Sequence, residues 1–98
     1  MYAIVRELNI KPAFKEENQR RVTDELLPQV REIPGFVDFY LIYTGNETEI
    51  SVGLFRDKKG VEELNRIANA FVKKTAPNIH LTNAYEGEVV AGHLPLPV

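Results

Sequence analysis

The stretch Ile33-Pro34-Gly35-Phe36-Val37-Asp38-Phe39-Tyr40-Leu41-Ile42-Tyr43 decides how the rest of the chain is arranged. Pro34 disfavours helix at Ile33, and Gly35 tolerates the tight reversal of a helix-to-strand corner. The run that follows is dense in aromatic and β-branched residues and reads as a strand. Its alternate residues make two faces, one of Val37, Phe39, Leu41 and Tyr43, the other of Phe36, Asp38, Tyr40 and Ile42. Both faces are largely apolar, so both require cover. A short chain covers one face of a sheet with its own helices. The other face then requires a cavity, a ligand or a second subunit.

Upstream of this strand, Val22, Leu26, Val30 and Ile33 fall three or four apart, with Leu27 beside them, and predict a helix from about Lys15 to Glu32. Its first turns, Lys15 to Arg21, are entirely polar and are expected in solvent. Pro28 lies inside the pattern; it removes the bond to the Asp24 carbonyl and predicts a kink in one continuous helix. Before the helix, Tyr2 to Leu8 alternates as a strand that Lys11-Pro12 ends. For this strand the pattern does not choose whether Arg6 or Glu7 faces the bare side. Downstream, Gly45-Asn46-Glu47-Thr48 supplies hairpin turn residues, and Glu49 to Arg56 predicts a third strand. Asp57 is an N-cap for a second helix ending near Ala76, with Val61, Leu64, Ala68, Phe71 and Val72 as its apolar stripe. A last strand is expected from about His80 to Ala91, with Gly87 marking a bulge or a close backbone approach.

The order βαββαβ predicts an α+β fold, a ferredoxin-like four-stranded antiparallel sheet with two helices on one face. In the third strand Ile50, Val52 and Leu54 form the more apolar phase and are assigned to the helices. Ser51, Gly53 and Phe55 are thereby assigned to the bare side, with Asp38, Tyr40 and Ile42 of the second strand. Val37, Phe39 and Leu41 face the helices.

Ninety-eight residues suffice for one domain, expected over residues 1–92, with an extended tail at 93–98. A net charge of −2 gives no electrostatic footprint for nucleic acid or an anionic membrane. The chain has no cysteine, which removes disulfides, thiolate nucleophiles and sulfur metal sites. No apolar run reaches the length of a membrane span, and the N-terminal residues lack the pattern of a signal peptide, so a cytoplasmic location is expected.

The chain resembles the dimeric α+β barrel superfamily that contains the antibiotic-biosynthesis monooxygenase domains. The residues that carry the resemblance are the first strand running into Lys11-Pro12, the corner Ile33-Pro34-Gly35-Phe36, the strand end Gly53-Leu54-Phe55-Arg56 before a helix, and Glu86-Gly87-Glu88-Val89-Val90. The resemblance implies two sheets packed face to face in a homodimer, through the open face of each. It implies a cavity between sheet and helices or at the barrel lumen. The family pattern usually has tryptophan where this chain has Phe55. The haem-degrading branch also uses a strand-one asparagine and a histidine in the second helix. Tyr2 to Leu8 contains no asparagine and Asp57 to Ala76 no histidine, which disfavours haem degradation.

Candidate cavity residues are Asp38, Tyr40, Ser51, Phe55 and Tyr85. Aromatic side chains on the bare side can line a ligand pocket or form a dimer core, and a tyrosine hydroxyl can orient a ligand. Ser51 leaves room as a small residue, and nothing places a base beside it as a nucleophile. His80 and His93 match no metal-ligand spacing, so neither a metal nor a cofactor is expected. The acidic and basic residues of the first helix read as a solvated face with i,i+4 pairs. No catalytic residue is assigned. Two readings of function stay open. One is a cofactor-independent oxygenase acting on a small apolar or aromatic substrate, which Tyr40 and Tyr85 orient and Asp38 or Arg6 serves electrostatically. The other is a non-catalytic dimeric ligand-binding or stress-response domain. An RNA-recognition module shares the strand order, but Glu49 to Phe55 lacks its basic-glycine-aromatic pattern.

Overall fold

The computed structural model describes residues 1–75 and 77–93. Strands β1 (Tyr2–Ile10), β2 (Phe36–Gly45), β3 (Thr48–Phe55) and β4 (Ile79–Glu88) form one sheet in the order β2-β3-β1-β4. Every neighbouring pair is antiparallel. The first helical rod comprises α1 (Lys15–Arg21), a π turn (Val22–Leu26) and α2 (Leu27–Arg31); the second is α3 (Lys58–Lys73). Both rods pack on one face, where Val22, Leu26, Val30 and Ile33 meet Val61, Leu64, Ala68 and Phe71 over Ile4 and Phe55. The predicted βαββαβ architecture is the observed one. The tail expected at 93–98 lies, from Leu94 onward, outside the described residues, as does the predicted helix end at Ala76.

The corner at Pro34-Gly35 forms as its residues dictate. Gly35 takes a φ of 85°, and its carbonyl accepts the Arg56 N–H at 2.8 Å, tying the corner to the end of β3. Asp57 caps α3, its carboxylate accepting the Gly60 N–H at 3.3 Å.

Four local expectations are corrected. The first helix does not simply kink at Pro28. The Leu27 N–H donates to the Val22 carbonyl, five residues back, and Pro28 falls in the first turn of α2, where a proline is tolerated. The α1 turns are not wholly solvated, because Asn18 is buried and bonds to the sheet. The irregularity in β4 lies opposite Glu7 and Leu8, near Thr82, while Gly87 pairs regularly with Ala3 and has open space around it.

The fourth correction is the phase of β3. Glu49, Ser51, Gly53 and Phe55 are the buried residues under the helices, and Ile50, Val52 and Leu54 face the open side. Apolar content misassigns this strand because the open-side phase, Ile50, Val52 and Leu54, is the more apolar one, while the helix-side phase carries Glu49, Ser51 and Gly53. The helix side is selected by fit. A Cβ on Gly53 would lie 2.6 Å from Leu64 Cδ2, and a Cβ on Gly60 would lie 2.5 Å from Phe55 Cδ1. The small residues of β3 and α3 let the two elements approach closely. Phe55 is fully buried (0% exposed) and meets Phe36 edge-on at 6.0 Å between ring centroids. In β2 the predicted phase holds from Asp38 on, with Phe39 and Leu41 against the core and Tyr40 and Ile42 exposed, but a register shift between Phe36 and Asp38 puts Phe36, and not Val37, against the core.

Candidate functional site

Cross-strand partners share a face, so pairing defines rows across the sheet. Under the helices one row runs Leu41, Ser51, Arg6, Ala84. Over this row the helices do not close completely. A cavity of about 20 Å³ remains, walled by Leu8, Val22, Leu26, Phe39, Leu41 and Phe71, with Arg6, Asn18, Ser51 and Thr75 contributing polar atoms. That volume holds about one water molecule. A wider surface groove of about 320 Å³ lies between the helical rod and the β2 edge, lined by Gln19, Val22, Thr23, Leu27, Phe39 and Leu41. Val22, Phe39 and Leu41 belong to both, so the groove abuts the buried cavity.

Arg6 is the principal charged group at the cavity. Of the two residues the strand pattern left open, Arg6 points beneath the helices and Glu7 to the open face, where Thr82 and Asn83 donate to it. The signal was present in the sequence: Ile4, Leu8 and Ile10 share the phase of Arg6. The guanidinium is 1% exposed and donates from Nη1 to Asn65 Oδ1 and from Nη2 to Asn69 Oδ1 at 3.0 Å. Asn65 and Asn69 stand one turn apart on α3, which presents both oxygens to one guanidinium. Burial lowers its pKa from the ordinary arginine value, but an arginine stays charged at neutral pH. Among the described residues no carboxylate forms an ion pair with it.

Glu49 lies nearby on β3, two residues from Ser51 and fully buried (0% exposed). Asn18 Nδ2 donates to its Oε1 at 2.6 Å and Gln19 Nε2 to its Oε2 at 3.5 Å. Desolvation raises its pKa, opposed by these two amides and by the Lys15 charge. Neither Glu49 nor its partner Asn18 was singled out from the sequence. A lone glutamate opening a strand and an asparagine in a polar turn carry no local mark of burial.

The five candidate residues separate onto two faces. Ser51 lines the cavity, opposite Arg6. Phe55 lies under α3 in the core, so its assignment to the bare side, and that of Ser51, are both corrected. Asp38, Tyr40 and Tyr85 are on the open face. There Tyr40, Val52, Val5 and Tyr85 form one row, with the tyrosines on the two edge strands, three strand spacings or about 14 Å apart. Within one chain they cannot grip one small molecule together. The Tyr40 hydroxyl donates to Asp38 Oδ2, and that hydrogen bond, with the carboxylate charge, raises the tyrosine pKa. Tyr40 is 51% and Tyr85 64% exposed, beside an exposed Ile42.

His80 is exposed on β4, paired with Asn9, and His93 follows that strand; neither lines the cavity. Among the described residues no three His, Asp or Glu side chains gather to hold a metal ion. Among the described residues, too, no helix is long and apolar enough to cross a membrane.

No protein-family model matches the chain, and no curated protein matches it in sequence. Solved structures do match in fold. NE2512 of Nitrosomonas europaea, a protein of unknown function, is 24% identical over 96% of this chain and 93% of its own, with a TM-score of 0.73. The ActVA-Orf6 monooxygenase of Streptomyces coelicolor, solved with nanaomycin D, is 12% identical over 96% and 91%, with a TM-score of 0.69. The haem degrader MhuD of Mycobacterium tuberculosis, solved with two haems in its active site, is 19% identical over 95% and 99%, with a TM-score of 0.65. Another neighbour is described as a dimeric ferredoxin-like protein. The chain thus shares its fold with these structures, which include a monooxygenase, a haem degrader and a protein of unknown function.

Proposed function

We propose that the protein is a homodimeric, cytoplasmic, cofactor-independent oxygenase that binds a small, largely apolar or aromatic substrate between its sheet and helices. The observation that carries this reading is the cavity together with the groove it abuts: the cavity alone holds about one water, but the adjoining space of about 320 Å³ shares its wall at Val22, Phe39 and Leu41, and Arg6, Asn18 and Ser51 set a few polar groups among apolar side chains, as small-molecule sites do. The monooxygenase among the fold neighbours supports the chemistry. In such a reaction the substrate itself supplies the electrons that reduce dioxygen, so an electron-rich aromatic such as a quinol fits. Among the described residues no histidine lines the cavity, which disfavours haem as the substrate. In this reading the domain comprises residues 1–92.

The dimer forms through the open face, where Val5, Val52, Tyr40, Ile42 and Tyr85 make an apolar surface that two helices on the other side leave uncovered. Asp38, Tyr40 and Tyr85 then line the sheet-to-sheet interior of the barrel. The reading is tested by following oxygen uptake and binding with a panel of quinols and phenols, without added cofactor. Turnover of at least one member is expected; absence of both binding and uptake across a varied panel overturns it. That no Asp, Glu, His or Lys stands in the cavity wall beside Ser51, among the described residues, favours a second reading, a non-catalytic dimeric ligand-binding or stress-response domain. Binding without oxygen uptake decides for that alternative.

A further inference from the structure

Among the described residues the buried guanidinium of Arg6 has no counter-charge, and that is costly in a folded interior. A buried cation is ordinarily paired with a carboxylate. Here the described partners are two neutral amide oxygens, those of Asn65 and Asn69. The one buried carboxylate nearby, Glu49, is turned to Asn18 and Gln19 instead. Two of the five guanidinium N–H groups are thus held by α3, and the charge itself is left for something else to neutralise. Asn65 and Asn69 fix the orientation of the group without discharging it. Ser51, directly across the strands, brings a hydroxyl to the same wall. Everything else around the cavity is predominantly apolar, and the adjoining groove continues along Val22, Phe39 and Leu41 towards solvent.

We infer that the cavity takes a small organic acid, its carboxylate on Arg6 and Ser51 and its apolar body lying out along Phe39, Leu41 and the π turn. The inference rests on the reading of this cavity as the ligand site and names the class of ligand. A carboxylate matches the planar donor fork of arginine and supplies the missing charge. The cavity is narrower than such a ligand, so the ligand enters by displacing its wall towards the groove. The π turn Val22–Leu26 forms part of that wall, and π turns inside helices are frequent at functional sites.

The test compares acids with their uncharged amide isosteres by titration calorimetry of the full chain: benzoate with benzamide, phenylacetate with phenylacetamide, octanoate with octanamide. This comparison needs no variant. At least one acid is expected to bind ten-fold or more tightly than its amide at low ionic strength. Arg6→Met is expected to lose that preference and to be at least as stable as the wild type, because an apolar side chain removes an unpaired buried charge; Arg6→Lys retains part of the preference. Amides binding as tightly as acids, or Arg6→Met keeping the acid preference, overturns the inference while leaving the cavity as a ligand site. Failure of both series to bind overturns the inference together with the reading on which it rests.

Discussion

Gly60→Ala is the sharpest test of how the helix side of the sheet is built. On an ordinary helix this change stabilises by about 1 kcal/mol, since alanine is the better helix former. Here the opposite is expected. The added methyl would stand 2.5, 2.7 and 2.8 Å from Phe55 Cδ1, Cγ and Cβ. A ring edge could swing aside, but Phe55 Cβ is attached to the β3 backbone, and Phe36 packs edge-on against the ring. The methyl must therefore push the start of α3 off the sheet. Overpacking of a well-filled core costs about 1–3 kcal/mol. Set against the propensity gain of about 1 kcal/mol, the net loss is up to about 2 kcal/mol. Urea unfolding at matched protein concentration measures it, since a dimer's stability depends on concentration. A double-mutant cycle isolates the cause. In a Phe55→Leu background, which removes the ring but keeps Cβ and Cγ, the penalty of Gly60→Ala should shrink without vanishing. Stabilisation by Gly60→Ala in the wild-type background would refute the close-approach argument for the phase of β3.

Three further outcomes follow from the same geometry. Val52→Glu, at the centre of the open face, should convert a dimer to a folded monomer in sedimentation with helical circular dichroism retained, whereas Phe55→Glu should unfold the chain; a wild-type protein that sediments as a monomer removes the dimer. Glu49 has its folded pKa raised above the unfolded value, so its favourable contribution is full below about 4.5 and is lost as pH rises through the folded pKa. Glu49→Gln, which cannot titrate, should gain stability relative to wild type between pH 4 and pH 7 in thermal melts, and a flat or reversed difference counts against the desolvation argument. Pro28→Ala restores one N–H in the first turn of α2 and should change stability by less than about 1 kcal/mol in urea; a loss of several kcal/mol would mean that the proline is needed to hold the π turn.

The sequence by itself determined the elements, their order and their layering. Helical spacing of Val22, Leu26, Val30 and Ile33, the Pro34-Gly35 corner, the Asp57 cap and the Gly45-Asn46 turn are local signals. Each acts through the conformational preference of a few neighbouring residues, and each reappears in the structure. The resemblance to the dimeric α+β barrels, carried by short motifs, agrees with the solved neighbours. Tertiary structure decided which side of each strand meets the helices, and hence which residues make the site. Hydrophobicity pointed β3 the wrong way, because its more polar phase, Glu49, Ser51 and Gly53, is the one buried under the helices and its apolar phase faces the open side. Close packing settled it, at Gly53 against Leu64 and Gly60 against Phe55. The same reason hid the polar cluster. Arg6 meets Asn65 and Asn69, and Glu49 meets Asn18 and Gln19, across sequence separations of 59, 63, 31 and 30 residues. No local pattern records a contact of that range. The burial of those charges, and the missing counter-ion beside Arg6, exist only once the helices have docked on the sheet.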